Sequence, residues 1–96
     1  MTKELVKDIS IGILQQSVDD WRGLMRLERD RALDPDSGSR RPLRIETEAS
    51  FDELRAFFRS SYCSDLCDMI SLNSDRVLSK LESDLAAQRA AYPRTA

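Results

Sequence analysis

Ninety-six residues, 41% hydrophobic and 33% charged with a net charge of −2, describe a single small domain with a heavily charged exterior. Acids and bases alternate along the chain, so the one-sided basic field that usually drives nucleic-acid affinity is missing. No apolar run approaches membrane length, and with no histidine the commonest proton shuttle near neutral pH is absent.

The first residues, MTKELVKD, are charged at once and carry no apolar segment of signal length. With two cysteines in the chain, this predicts a cytoplasmic protein with free thiols. Thr2 or Asp8 can cap a first helix. Ile11, Leu14, Val18, Trp21 and Met25 then recur at spacings of three and four, which places them on one helical face. Ile9, Ile13, Leu24 and Leu27 widen that stripe. The pattern predicts one long helix from about residue 4 to about residue 33.

Asp34-Pro-Asp-Ser-Gly-Ser-Arg-Arg-Pro42 is the clearest break, a loop rich in proline, glycine and serine. Its Asp-Pro-Asp-Ser-Gly opening lacks the ligand spacing of a calcium loop and reads as a turn. Leu43 to Thr47 alternates apolar and polar residues, a weak strand signal, and with no partner strand it reads as a connector or an early helical turn. The loop and connector together are expected to cover 34–49. Ser50-Phe-Asp-Glu53 has the spacing of a capping box. Behind it Phe51, Leu54, Phe57, Phe58 and Tyr62 form the most aromatic surface of the chain, the expected centre of the core. Ser64-Asp65 can start a third helix carrying Leu66, Cys67 and Ile70 inward. Asn73 and Ser74 offer a stop and a new cap, and a last helix runs from about Asp75 to Tyr92 with Val77, Leu78, Leu81 and Leu85 inward. Pro93 ends it, leaving 93–96 as a tail.

The expected fold is therefore all-α: one domain over 1–96, with a long N-terminal helix, a Pro/Gly/Ser loop, then three shorter helices forming a small bundle.

Chemical motifs are sparse. Asp19-Asp20 and Asp52-Glu53 sit among arginines and read as solvated faces. Cys63 and Cys67 share a helical face and would supply at most half of a tetrahedral zinc site, so they read as small apolar side chains. The expectation is no catalysis, no cofactor, no metal, no small-molecule substrate and no membrane. Arg40, Arg41 and Arg44 are candidate contacts to phosphates or an acidic partner.

Residues 64–85 hold the chain's most specific local pattern. Leu66, Cys67, Ile70, Leu72, Val77 and Leu81, with Asn73 and Ser74 at the cap position, resemble the helix-turn-helix of arsenic-repressor-type winged regulators over about 20 residues. Ser71 stands where that turn favours glycine, and no wing follows. If this stretch reads DNA, Arg76, Ser79 and Lys80 would face it, opposed by Asp75, Glu82 and Asp84. A groove-facing Leu78 would be wasted, so its burial is the discriminating observation.

A second resemblance covers more of the chain. "VDDWRGLMRL" (18–27), "SFDELRAFFRSSYCSDLCDM" (50–69) and "DRVLSKLE" (75–82) together look like small phage- and mobile-element-encoded proteins without assigned function. Phe57, Phe58, Ser60, Tyr62, Leu66, Leu78 and Leu81 carry the match. This resemblance implies fold and context rather than chemistry.

The sequence thus points to a non-enzymatic adaptor or regulator that binds a protein partner, or itself, through the long helix at Ile11, Leu14, Val18, Trp21 and Met25. The apolar residues there outnumber what three short helices should cover, which suggests a homodimer. A DNA-binding regulator is the alternative.

Overall fold

A computed structural model of the chain describes the backbone of residues 3–33 and 43–92 and the side chains of 7–33 and 47–92. Every element described is helical: α1 (Lys3–Leu33), α2 (Leu43–Arg59), α3 (Ser61–Met69) and α4 (Ser74–Ala91). The all-α expectation, with a long first helix and three shorter ones, is what the structure shows. At about 1.5 Å per residue, α1 runs most of the molecule's 52 Å length, and each of the other helices packs against it.

The buried side of α1 is rotated from the face that its apolar residues suggest. Its buried positions are Ser10, Leu14, Ser17 and Trp21, spaced four, three and four apart as on a heptad seam. Two of them are serines, which a search for apolar periodicity passes over. Ser17 satisfies its hydroxyl by donating to the Ile13 carbonyl one turn back at 3.0 Å. Val18, Leu24 and Met25 are half-buried against the same core.

α2 begins at Leu43, which corrects the expected connector over 34–49: residues 43–49 are its first two turns. The period-two alternation misleads because Thr47, Phe51, Leu54 and Phe58 recur at helical spacing. Thr47, Phe51 and Phe58 are buried and Leu54 is packed beside them. Ser50 consequently lies inside the helix and caps nothing. The 34–42 segment, including Arg40 and Arg41, lies outside the described residues, as do the side chain of Arg44 and the 93–96 tail.

Ser60, not Ser64, starts α3. Its Oγ accepts the Cys63 N–H at 3.1 Å and donates to the Phe57 carbonyl at 2.6 Å, closing α2 and opening α3 with one side chain. Cys63 and Cys67 are the buried residues of α3, while Leu66 and Ile70 are only half-covered. α3 ends in a Schellman turn: the Leu72 N–H bonds the Cys67 carbonyl at 2.8 Å and the Ser71 N–H bonds the Asp68 carbonyl at 3.3 Å. This geometry puts Ser71 at φ 58°, a left-handed conformation that glycine adopts without a Cβ clash. Ser71→Gly should therefore stabilise the protein by about 0.5–1 kcal/mol, read as a higher urea midpoint; an unchanged or lower midpoint would mean the turn relaxes elsewhere.

Asn73 caps α4 as its position suggests, accepting the N–H groups of Asp75 (2.9 Å) and Arg76 (3.3 Å). Asp75 in the first turn complements the helix dipole. Leu78, Leu81 and Leu85 face inward and close the core over Trp21, Phe51 and Phe58.

Candidate interaction surface

The centre of the core is an edge-to-face pair, with the Trp21 and Phe51 ring centroids 4.7 Å apart at 67°. Two arginines roof it. The Arg55 guanidinium lies 5.4 Å from the Trp21 ring centre and 5.8 Å from that of Phe51, and Arg89 lies 5.6 Å from Phe51.

Acids drawn from three helices hold these cations. Arg55 of α2 pairs with Glu82 of α4 at 2.9 Å and with Asp52 at 2.8 Å. Arg89 of α4 grips Glu28 of α1 through two bonds, at 2.9 and 3.1 Å. Glu48 of α2 joins the halves by contacting both Arg55 and Arg89. Hydrogen bonding to Glu28 raises the Arg89 pKa against the opposing effect of burial. For Arg55, burial lowers the pKa, but pairing with Glu82 and Asp52 outweighs it. Gln88 adds a further tie, donating to the Met25 carbonyl at 2.7 Å. This cluster locks α1, α2 and α4 together. Every charge in it has a partner inside the chain, so its chemistry is structural.

The cysteines are equally committed to structure. Burial pushes the Cys63 thiol up to about 12, with neighbouring Cys67 adding to the effect. Burial also raises Cys67, and Asp68 contributes. Both are free thiols, neutral near pH 7 and shielded from reagents. Among the described residues no group of histidine, cysteine, aspartate or glutamate is arranged to hold a metal ion. Likewise, no described helix is long and apolar enough to cross a membrane. The acidic pairs are peripheral: Asp52 meets Arg55, and Asp20 accepts from Gln16 at 2.8 Å.

The face expected on α1 for a partner is largely enclosed. Trp21 is 0% exposed and Leu14 is buried, both within the chain's own core, and Val18 and Met25 pack against it. Of the five positions only Ile11 stands free, at 47% exposure. This corrects the reading of α1 as an uncovered stripe at Leu14 and Trp21, which α2, α3 and α4 cover along a seam that runs through the small residues Ser10 and Ser17; Ile9, Ile11 and Leu27 beside that seam stay exposed.

Leu78, the discriminating side chain in the 64–85 stretch, is 7% exposed and belongs to the core. Arg76, Ser79 and Lys80 lie on the exposed side of α4, where Lys80 pairs with Asp84 at 2.9 Å. Glu82 is engaged by Arg55.

Besides Ile9, Ile11, Leu27 and Leu33 along α1 and Tyr92 after α4, the exposed large apolar residues lie on the flank of α3 and the turn after it. Tyr62 is 54% exposed, Met69 39% and Leu72 48%. Tyr62 and Met69 are seven residues apart and so sit one above the other, with half-buried Leu66 between them. The Tyr62 ring leans edge-on toward half-buried Phe57, with centroids 6.3 Å apart. The sequence reading put Tyr62 in the core with the other aromatics. The spacing Tyr62–Leu66–Met69, offset from Cys63–Cys67, is the signal that separates the two faces.

Among the described residues, four helices enclose a core roofed by paired charges and leave an apolar flank open on α3. No family model, no curated protein and no solved structure matches the chain.

Proposed function

We propose that the protein is a small, non-enzymatic cytoplasmic adaptor or regulator, of the kind carried by phage and mobile elements, that works by binding a protein partner. The observation that carries this reading is the run of Tyr62, Met69 and Leu72, large apolar side chains left in water on one flank while the rest of the aromatic core is closed. With its half-buried charges Arg55, Arg89, Glu28, Glu48 and Glu82 paired to one another, the domain offers its environment shape and apolar surface rather than reactive groups. The α3 flank replaces the α1 stripe as the proposed surface, and a protein other than a second copy replaces the homodimer as the preferred occupant.

The test is affinity capture from the host with the wild-type chain and with a Tyr62→Glu, Met69→Glu double variant. The expected result is a partner held by the wild type and lost by the variant, both giving the same helical circular dichroism. Equal capture by both, or none by either, would remove the reading.

A second reading, DNA binding through 74–84, is favoured by the left-handed Ser71 turn, the Asn73 cap and the exposure of Arg76, Ser79 and Lys80. It requires salt-sensitive duplex binding weakened by Arg76→Ala and Lys80→Ala. The burial of Leu78 and the pairing of Lys80 with Asp84 weigh against it.

A further inference from the structure

Between Arg59 and Arg76 the segment that carries the apolar flank has charge of one sign. From Ser60 to Asp75 the chain contains Asp65, Asp68 and Asp75 and no lysine or arginine. Asp75 has a local role at the start of α4. Asp65 and Asp68 have none. Both are exposed, and among the described residues neither enters an ion pair, in contrast to Glu28, Glu48, Asp52, Glu82 and Asp84. Nor do they support α3 (Ser61–Met69) through its dipole: Asp65 lies mid-helix, outside the first turn where an acid would help. Asp68 stands next to the C-terminal end, where a carboxylate opposes the helix dipole. The two aspartates therefore do not serve the stability of the helix that bears them.

Helix geometry sets them beside the apolar residues. Asp65 is three residues after Tyr62 and four before Met69, so it borders the Tyr62–Leu66–Met69 stripe along its length, with Asp68 further round the same side. The stripe covers two turns, about 10 Å, with an acidic rim on one side and the molecule's own core on the other. We propose that this flank docks a basic amphipathic helix of a partner protein, its apolar side chains on Tyr62, Leu66, Met69 and Leu72 and its lysines or arginines along Asp65 and Asp68. This rests on the protein-binding reading above and supplies the partner's chemistry. A straight two-turn stripe matches the i, i+3/i+4, i+7 anchors of a helix. The described chain has no strand edge to which an extended peptide could add. The acidic rim repels nucleic acid and anionic lipid, and it would meet its own like charge in a symmetric pairing of two α3 flanks.

The experiment uses the full chain and a fluorescent synthetic helix of about four turns, with leucines on one face and lysines along the flanks. A matched peptide has glutamate at every lysine. By fluorescence anisotropy the lysine peptide binds and the glutamate peptide does not, and added salt weakens the binding. Tyr62→Ala and Met69→Ala each weaken it roughly tenfold, as does the Asp65→Lys, Asp68→Lys pair. Arg76→Ala, on α4, leaves it unchanged. Asp68→Lys alone also separates binding from folding, because it relieves the dipole conflict: the thermal midpoint holds or rises while affinity drops. Equal binding of both peptides, no binding at low salt, or insensitivity to Met69→Ala would overturn the proposal. A dimer that Met69→Ala dissociates would also overturn it, by making a second copy the occupant. If the peptide fails while host capture still depends on Tyr62 and Met69, the basic partner is lost and the protein-binding function stands.

Discussion

Trp21→Ala lowers the free energy of unfolding by about 3–5 kcal/mol, a large share of what 96 residues hold at roughly 0.05–0.15 kcal/mol per residue. The indole is fully enclosed, edge-to-face with Phe51 and roofed by Arg55, so truncation opens a cavity at the junction of α1 and α2 and strips a cation of its ring. The chain has one tryptophan, so the measurement is a urea titration followed by far-ultraviolet circular dichroism. Trp21→Phe behaves differently. Among the described residues the buried Nε1–H has no acceptor, and an unsatisfied donor costs about 1–3 kcal/mol. Removing it offsets part of the lost volume, so the phenylalanine variant loses less than half of what the alanine variant does. An alanine variant within about 1 kcal/mol of wild type would mean that the Trp21–Phe51 pair is not the centre of the fold.

Arg89→Met should cost about 1–3 kcal/mol, between the values for exposed pairs and for fully buried ones. Methionine keeps much of the apolar stem that lies along Phe51 but removes the charge between Glu28 and Glu48. Those carboxylates come from α1 and α2, so the loss falls on the joint where three helices meet. The diagnostic is coupling: adding Glu28→Gln to Arg89→Met restores part of the lost stability, although Glu28→Gln alone destabilises. A double-mutant cycle that closes near zero would mean that the roof contributes packing and no charge pairing.

These two sites show what was legible in the sequence and what was not. α1 was readable because its apolar residues recur at helical spacing over many turns, and α4 because Asn73 is a strong cap ahead of Leu78, Leu81 and Leu85. The start of α2 was not, since Leu43–Thr47 satisfies a two-residue period and a helical one equally, and only the burial of Thr47 beside Phe51 decides between them. The interaction surface was misplaced for a related reason. Apolar periodicity weights Ile11 and Val18 and ignores Ser10 and Ser17, so it rotated the buried seam and counted the enclosed Leu14 and Trp21 among the surplus on α1. The joining role of Arg55 and Arg89 was not legible, because the carboxylates that tie them to other helices lie 27 residues away for Arg55 and 41 and 61 residues away for Arg89. The Schellman turn was half legible: Ser71 was marked as the place for a left-handed residue, and it adopts that conformation.

Leu78 links the fold to the function. Its place in the core makes the 64–85 hairpin a brace for α1 and α2, which leaves the α3 flank, rather than the outer face of α4, as the proposed working surface. Site-specific photocrosslinking tests this most directly. A photoreactive phenylalanine analogue replaces Tyr62 in one preparation and Ser79 in another, and each is irradiated in host extract. The account predicts a discrete protein adduct from position 62, suppressed by excess unlabelled wild-type chain, and none from position 79. An adduct to DNA or protein from position 79, with position 62 silent, would contradict it.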